Sequence, residues 1–411
     1  MKKILPSLLL LSTALHAGEI PKHEDYTLLL SSRPVTGLDQ IQAQGLNFKL
    51  TKKSLWSGSY WPFYQGSLGS RYRDPSFRAV MNKTYKFEEY VNLRTARVNP
   101  NDLSPAEKYD LLLGDSLGTF TETQWKNGAD NRSLSGSVPT WRGICDGWAA
   151  ASMTWNRPTK SVTLLSVNGL PITFFPEDIK ALGSQLHAKG EKRVTFLGKR
   201  CNGTTGWLTG ACGGLNPAAL HLALINSVGV EGSSFILDIS PGKEVWNYPV
   251  QEYSLSYSNP LTGAAASDWK SARVELVGNE RDLRANKRAE GTRWIVAVKA
   301  KVKFMDMRDG GTNSFDSAEF DKILEKEWSY DLEIDHRGQV IGGEWISKAR
   351  PDFMWAPQKT SLPVSSLERR GQFSFDPTLP VDPTLAARGI EASKNAQPLA
   401  AIINKLFELS K

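Results

Sequence analysis

Cysteine is scarce in this 411-residue chain: there are three, Cys145, Cys201 and Cys212. Histidine is little commoner, with five residues, of which His16 belongs to the N-terminal leader described below. No apolar run after residue 15 approaches the length of a membrane span, which excludes a polytopic membrane protein. No basic block stands out. The formal charge of +7 therefore reads as general surface bias, and nucleic acid is not an expected partner. There is no internal repeat and no EF-hand-like acidic loop. What is present is ordinary for a folded domain: 40% hydrophobic and 23% charged residues, with 34 Gly and 22 Pro spread along the chain. The length fits two or three domains, or one large one. The 13 Trp are many for it; such residues fill cores or line peptide and sugar grooves.

The N-terminus is an address. Met1-Lys2-Lys3 is followed by a mostly apolar run over 4–15 and small residues at 14–17. This is the layout of a secretory signal peptide over 1–17, with cleavage expected after Ala17. No cysteine follows the run, which argues against a lipoprotein. An exported protein, periplasmic or extracellular, with no integral membrane association, is expected. Export makes an odd cysteine count informative, because oxidising compartments favour pairing. Cys201 and Cys212 flank the flexible loop CNGTTGWLTGAC and form the natural disulfide. Cys145 is then a solitary thiol, either a nucleophile or a buried inert residue.

Helix signals place that thiol. In WRGICDGWAAASMTW, Gly143 frees the backbone before Cys145, and Ala149–Ala151 favour helix after it. Cys145 is expected at a helix N-terminus, where the helix dipole favours a thiolate and free N–H groups can hold an oxyanion. The backbone N–H of Cys145 is one such donor, and the indoles of Trp141 and Trp148 are further oxyanion or groove candidates. Asp146 opposes ionisation if it turns inward. Ser104-Pro105-Ala106-Glu107 caps a helix ending at Gly114, and Pro176-Glu177-Asp178 opens another ending at Gly190. WIVAVKAKVKF (294–304) and YDLEID (330–335) read as strands. Residues 359–385 read as a Pro- and Ser-rich linker, and 386–411 as an amphipathic terminal helix. That tail is expected to be dispensable to a catalytic unit over 18–358.

A thiol nucleophile needs a base. His23 lies in the N-terminal tail, His187 on a helix that looks exposed, and His336 in a turn-like DHRG. His221 sits inside the apolar run AALHLALINSVGV: the ordinary reading is a core histidine, yet it is the best base available. Asp238 in SSFILDIS is an acid in an apolar run and needs a partner, which makes it the expected orienter of His221; Asn247 is the alternative. Asn216-Pro217 caps a helix ending at Gly229 and followed by a strand carrying Asp238, or, less well, residues 221–238 form a hairpin turning at Glu231-Gly232 with His221 and Asp238 facing across it.

Several segments together resemble the oomycete elicitor-type transglutaminase family and its bacterial relatives. VWNYPV (245–250) is similar to the family's elicitor core VWNQPV, with Tyr248 in place of Gln. LSPAEKYDLLLGD (103–115), the Cys145 segment, FFPEDIKAL (174–182), NPAALH (216–221), IGGEW (341–345) and PDFMW (351–355) also fit, so the resemblance spans roughly 55–357. It implies an α+β fold with central helices, an antiparallel sheet and a papain-like Cys/His/acid arrangement. The implied activity is protein-glutamine γ-glutamyl transfer through a Cys145 thioester, with protein glutamine donors and lysine or amine acceptors as partners. Calcium is a possible cofactor by the same resemblance. Asp146 stands where bacterial relatives carry His, and Tyr248 alters the elicitor core, so plant recognition is not implied. The alternatives are a cysteine peptidase or amidase using the same residues, and a non-catalytic secreted binding or elicitor-like protein.

Overall fold

A computed structural model describes residues 18–79, 87, 98–200, 214–239, 242–276, 287–359, 361–371 and 373–411. The expected signal peptide over 1–17 and the expected Cys201–Cys212 bond lie outside the described residues.

The chain is mixed α+β. Its helices are α1 (Leu38–Ala43), α2 (Pro105–Leu113), α3 (Thr119–Asp130), α4 (Cys145–Thr154), α5 (Pro176–Lys189), α6 (Pro217–Ala223), α7 (Trp269–Ala272), α8 (Pro383–Ser393) and α9 (Ala400–Leu409). The strands are β1 (Phe48–Leu50), β2 (Val162–Leu165), β3 (Pro171–Phe174), β4 (Val194–Gly198), β5 (Ile236–Asp238), β6 (Asn247–Ser258), β7 (Ala265–Ala266), β8 (Val274–Glu275), β9 (Trp294–Asp306), β10 (Lys322–Ile334), β11 (Val340–Trp345) and β12 (Phe353–Pro357). β2 and β3 form a separate hairpin. The other ten strands form one antiparallel, curled half-barrel sheet, in the order β11-β10-β9-β6-β5-β12-β4, with β1 and β7 on β6 and β8 on β9.

Local signals explain the helix ends. Ser104 and Glu107 make a reciprocal capping box on α2, and Gly114 ends it in the left-handed conformation. Asn216 accepts from the N–H groups of Ala218 and Ala219, so 217–230 is helical rather than a hairpin, widening into a π-helix over Leu224–Val230. Asp178 accepts from the Phe175 N–H at the start of α5, and Lys108 donates to the same carboxylate at 2.6 Å.

Among the described residues two large hydrophobic cores form, beside a small cluster of Phe77, Trp125 and Val138. One lies under the long strands: Val296, Val298, Ala300, Val302 and Phe304 of β9 alternate inward, onto Leu220 and Leu224. Between them Lys299, Lys301 and Lys303 point out and pair with Glu327, Glu325 and Glu252. The other core joins α2, α4 and α5 to the C-terminal helices. β5 and β12 divide the two: Ile236 and Trp355 face the helical core, Leu237 and Met354 the sheet core. The terminal helix, expected outside the catalytic unit, packs into this helical core. Leu399, Ile402, Ile403, Leu406 and Phe407 are buried in the helical core, Phe407 stacks on Trp155 at 4.6 Å, and the Trp155 indole donates to Asn404. The amphipathic stripe of α9 is therefore an integral layer against α5.

Candidate active site

The first residue of α4 is Cys145. Gly143 is required just before it: a Cβ there would lie 2.4 Å from the Tyr60 carbonyl oxygen, which accepts from Ile144 N–H at 2.7 Å. Gly147 lets α4 close on α5, where a Cβ would lie 2.2 Å from Ser184 O. The two glycines of GICDG thus pin the start of the helix on both sides, and Cys145 falls between them.

Sheet register supplies the thiol's neighbours. Asp238 pairs with Asn247, and Ile236 with Trp355. Residues directly opposite in an antiparallel pair share a face, and so do residues two apart along a strand. Asp238, Asn247, Ile236 and Trp355 therefore all project toward α4. The Asn247 side-chain amide donates to Cys145 Sγ at 3.5 Å, and its backbone N–H donates there as well. The thiol in turn donates to Val245 O at 3.7 Å. Trp355 Nε1 donates to Asn247 Oδ1 at 2.8 Å, and Asp238 Oδ1 accepts from Trp246 N–H at 3.2 Å. Tyr60 meets Trp246 edge-on at 5.5 Å, and Trp148 meets Tyr248 edge-on at 6.5 Å.

The thiol is 5% exposed. Burial pushes it up to about 11, reinforced by the charges of Asp146 and Asp238 and opposed by the two Asn247 hydrogen bonds. Asp146 is itself raised by burial, against the pull of Lys192. The resting site therefore holds a neutral thiol.

The expected site residues do not all meet here. Cys145, Asp238 and Asn247 are brought together. His221 is fully buried in the sheet core, where its Nδ1 shares a 2.9 Å hydrogen bond with the Tyr330 hydroxyl. Its Nε2 has no hydrogen-bond partner among the described residues, and burial alone pushes the imidazole down to about 3. The expected contacts of His221 with Cys145 and Asp238 are thus replaced by one with Tyr330, because α6 packs on β10 and β11. His187 is corrected from exposed to buried, bonded to Thr154 Oγ1 at 2.8 Å at the far end of α4. The Trp148 indole N–H, expected as an oxyanion donor, instead donates to Trp56 O at 3.3 Å. Trp141 is half-buried, with the Arg142 guanidinium over its ring at 5.4 Å. Tyr60 and Trp355 were not anticipated. The PDFMW segment carried a signal for Trp355; nothing in the sequence marks Tyr60.

Among the described residues no group of three or more His, Cys, Asp or Glu gathers as a metal site. No helix of the described residues is long and apolar enough to cross a membrane. A cleft of about 640 Å³ opens at the other end of α4, lined by Lys53, Met153, Thr154, Ser227 and Glu231, and contains none of the expected site residues.

A buried thiol at a helix start, held against an antiparallel sheet by a donor amide, defines a class: a mixed α+β protein with a cysteine-centred site. The Transglutaminase elicitor family matches residues 37–367, and the chain belongs to it. That family is one of transglutaminases, which implies acyltransferase activity and protein substrates. The fold is similar to the crystal structure of the GP42 transglutaminase from Phytophthora sojae, with a TM-score of 0.64 at 20% identity, over 96% of this chain and 98% of that one. No curated protein matches the chain.

Proposed function

We propose that the protein is an exported protein-glutamine γ-glutamyltransferase with Cys145 as its nucleophile. The observation that carries this reading is the thiol at the first position of α4, inside the family-matched region, with two Asn247 donors on its sulfur. Sγ attacks the carboxamide carbon of a glutamine side chain. The C–S bond forms, the thiol proton passes through water to the Asp238 carboxylate, and the tetrahedral intermediate takes that proton back onto nitrogen as ammonia leaves. A lysine or other amine then attacks the thioester carbon, sheds its proton by the same route and releases the thiol. In this scheme Asp238 handles the proton directly rather than by orienting His221, because the imidazole is committed to Tyr330. The scheme keeps the nucleophile placement of a papain-like site without its histidine. Export rests on the leader at 1–17.

The test is incorporation of a labelled primary amine into a glutamine-containing protein, with and without calcium, by the wild type and Cys145→Ala. Cys145-dependent incorporation supports transfer. Peptide-bond cleavage without incorporation would replace it with a peptidase, and incorporation surviving in Cys145→Ala would remove the nucleophile.

A further inference from the structure

Two motifs of the family-like pattern, VWNYPV and PDFMW, meet at one hydrogen bond whose purpose the transfer scheme leaves unexplained. Asn247 Oδ1 accepts from Trp355 Nε1 at 2.8 Å. A carboxamide can be turned either way, and with its oxygen toward Cys145 it would offer the sulfur no donor. The indole can only donate, so it fixes the oxygen on its own side and forces the NH2 group toward Sγ, 3.5 Å away. The strand's register holds the pair: Asn247 opens β6, and Trp355 lies on β12, one strand beyond β5. Both residues are buried, so water does not compete for these contacts.

Resting on the transferase reading above, we infer that the Asn247 side-chain amide is the oxyanion donor of this site and that Trp355 is its positioning residue. In the resting protein the NH2 group contacts the sulfur. When Sγ bonds to a carbonyl carbon, the carbonyl π pair moves onto oxygen, and that oxygen develops next to the sulfur, within reach of the same NH2 group. Collapse of the intermediate returns the pair to the C=O bond and expels ammonia. The donor thus serves thiolate and oxyanion in turn, without reorganisation at the moment of reaction.

The experiment uses the full chain and two readouts: kcat and KM for amine incorporation, and the pH midpoint for alkylation of Cys145 by iodoacetamide, followed by intact mass. Asn247→Asp is nearly isosteric and keeps an acceptor for Trp355, but it puts a carboxylate where the donor was. It should lower kcat by about 10²-fold or more with KM little changed, and raise the alkylation midpoint. Asn247→Ser, small and still polar, should raise the midpoint less. Trp355→Phe keeps the ring but frees the amide, and should lower kcat by about tenfold and shift the midpoint in the same direction. A merely structural Trp355 would change the melting temperature and leave the midpoint alone. Wild-type kcat and midpoint in Asn247→Asp would overturn the inference. Alkylation needs no glutamine substrate. A midpoint shift in a wild-type background that never incorporates amine would therefore fail the transferase reading and keep the donor role.

Discussion

Cys145 and His221 are both buried on helices, yet their surroundings differ in kind. Cys145 has the two Asn247 donors and the Val245 carbonyl against its sulfur, with Asp238 on β5 and Asp146 beside it on α4. His221 faces one hydroxyl in an otherwise apolar layer, with no charge acting on it. Burial moves both groups toward the neutral form, but only the thiol has groups around it that respond to ionisation. What separates a reactive side chain from a core one here is the polarity of the groups around it, and not depth.

The largest effect that would break this contrast is on turnover. Cys145→Ala should abolish amine incorporation, a loss on the order of 10³-fold or more, and leave the fold intact, since alanine fits a first-turn position. Circular dichroism alongside the labelled-amine assay checks both halves.

A second test concerns the helical core behind the thiol. Ending the chain at residue 358 removes Leu399, Ile402, Ile403, Leu406 and Phe407 from that core. Each such deletion costs about 2–5 kcal/mol, against a whole-protein stability of about 5–15 kcal/mol, so the truncated chain should show no cooperative unfolding transition. Phe407→Ala alone, which loses the stacking on Trp155, should cost about 3–5 kcal/mol and lower the melting temperature. A truncated chain that melts cooperatively and keeps activity would show the tail to be an accessory after all.

The sheet core predicts a smaller effect with a different signature. His221→Ala strands the Tyr330 hydroxyl and should cost about 1–3 kcal/mol of stability. The alkylation midpoint of Cys145 should not move, because no coupling links the two groups. A loss of activity equal to that of Cys145→Ala, with stability unchanged, would restore the imidazole as the base.

These two surroundings were unequally legible in the sequence. Cap and punctuation signals act within a few residues, so the boundaries at Ser104, Gly114, Pro176 and Asn216, and the helix starting at Cys145, follow from local chemistry. The alternation of 294–304 shows a strand with one buried face. The partners that define the site are long-range: Asn247 meets Cys145 across 102 positions and Trp355 meets Asn247 across 108. His221 finds Tyr330 across 109. Residue type narrowed the candidates to a thiol, an imidazole and two possible orienters, but which of them meet depends on the register of β5, β6 and β12, and no local pattern encodes it. The stripe of α9 was visible too; its docking onto Trp155 was not.

The smallest expected effect sharpens the comparison most, because it separates burial from charge. Three causes lift the Cys145 thiol to about 11: burial first, then the charge of Asp146, then that of Asp238. A pKa raised in the folded state favours the protonated thiol. The resulting stabilisation is complete below the ordinary thiol pKa of 9.0 and is lost as the pH climbs from there toward 11. Asp146→Asn removes the charge while keeping the side chain's size. The alkylation midpoint should therefore fall below that of the wild type, yet stay above 9.0, since burial, the larger cause, is untouched. The alkaline loss of stability should begin at the same pH and end earlier. A midpoint at or below 9.0 would mean that charge, and not burial, keeps the thiol protonated. An unchanged midpoint would mean that the Asp146 carboxylate is neutralised by Lys192 and by the first-turn N–H groups before the sulfur feels it.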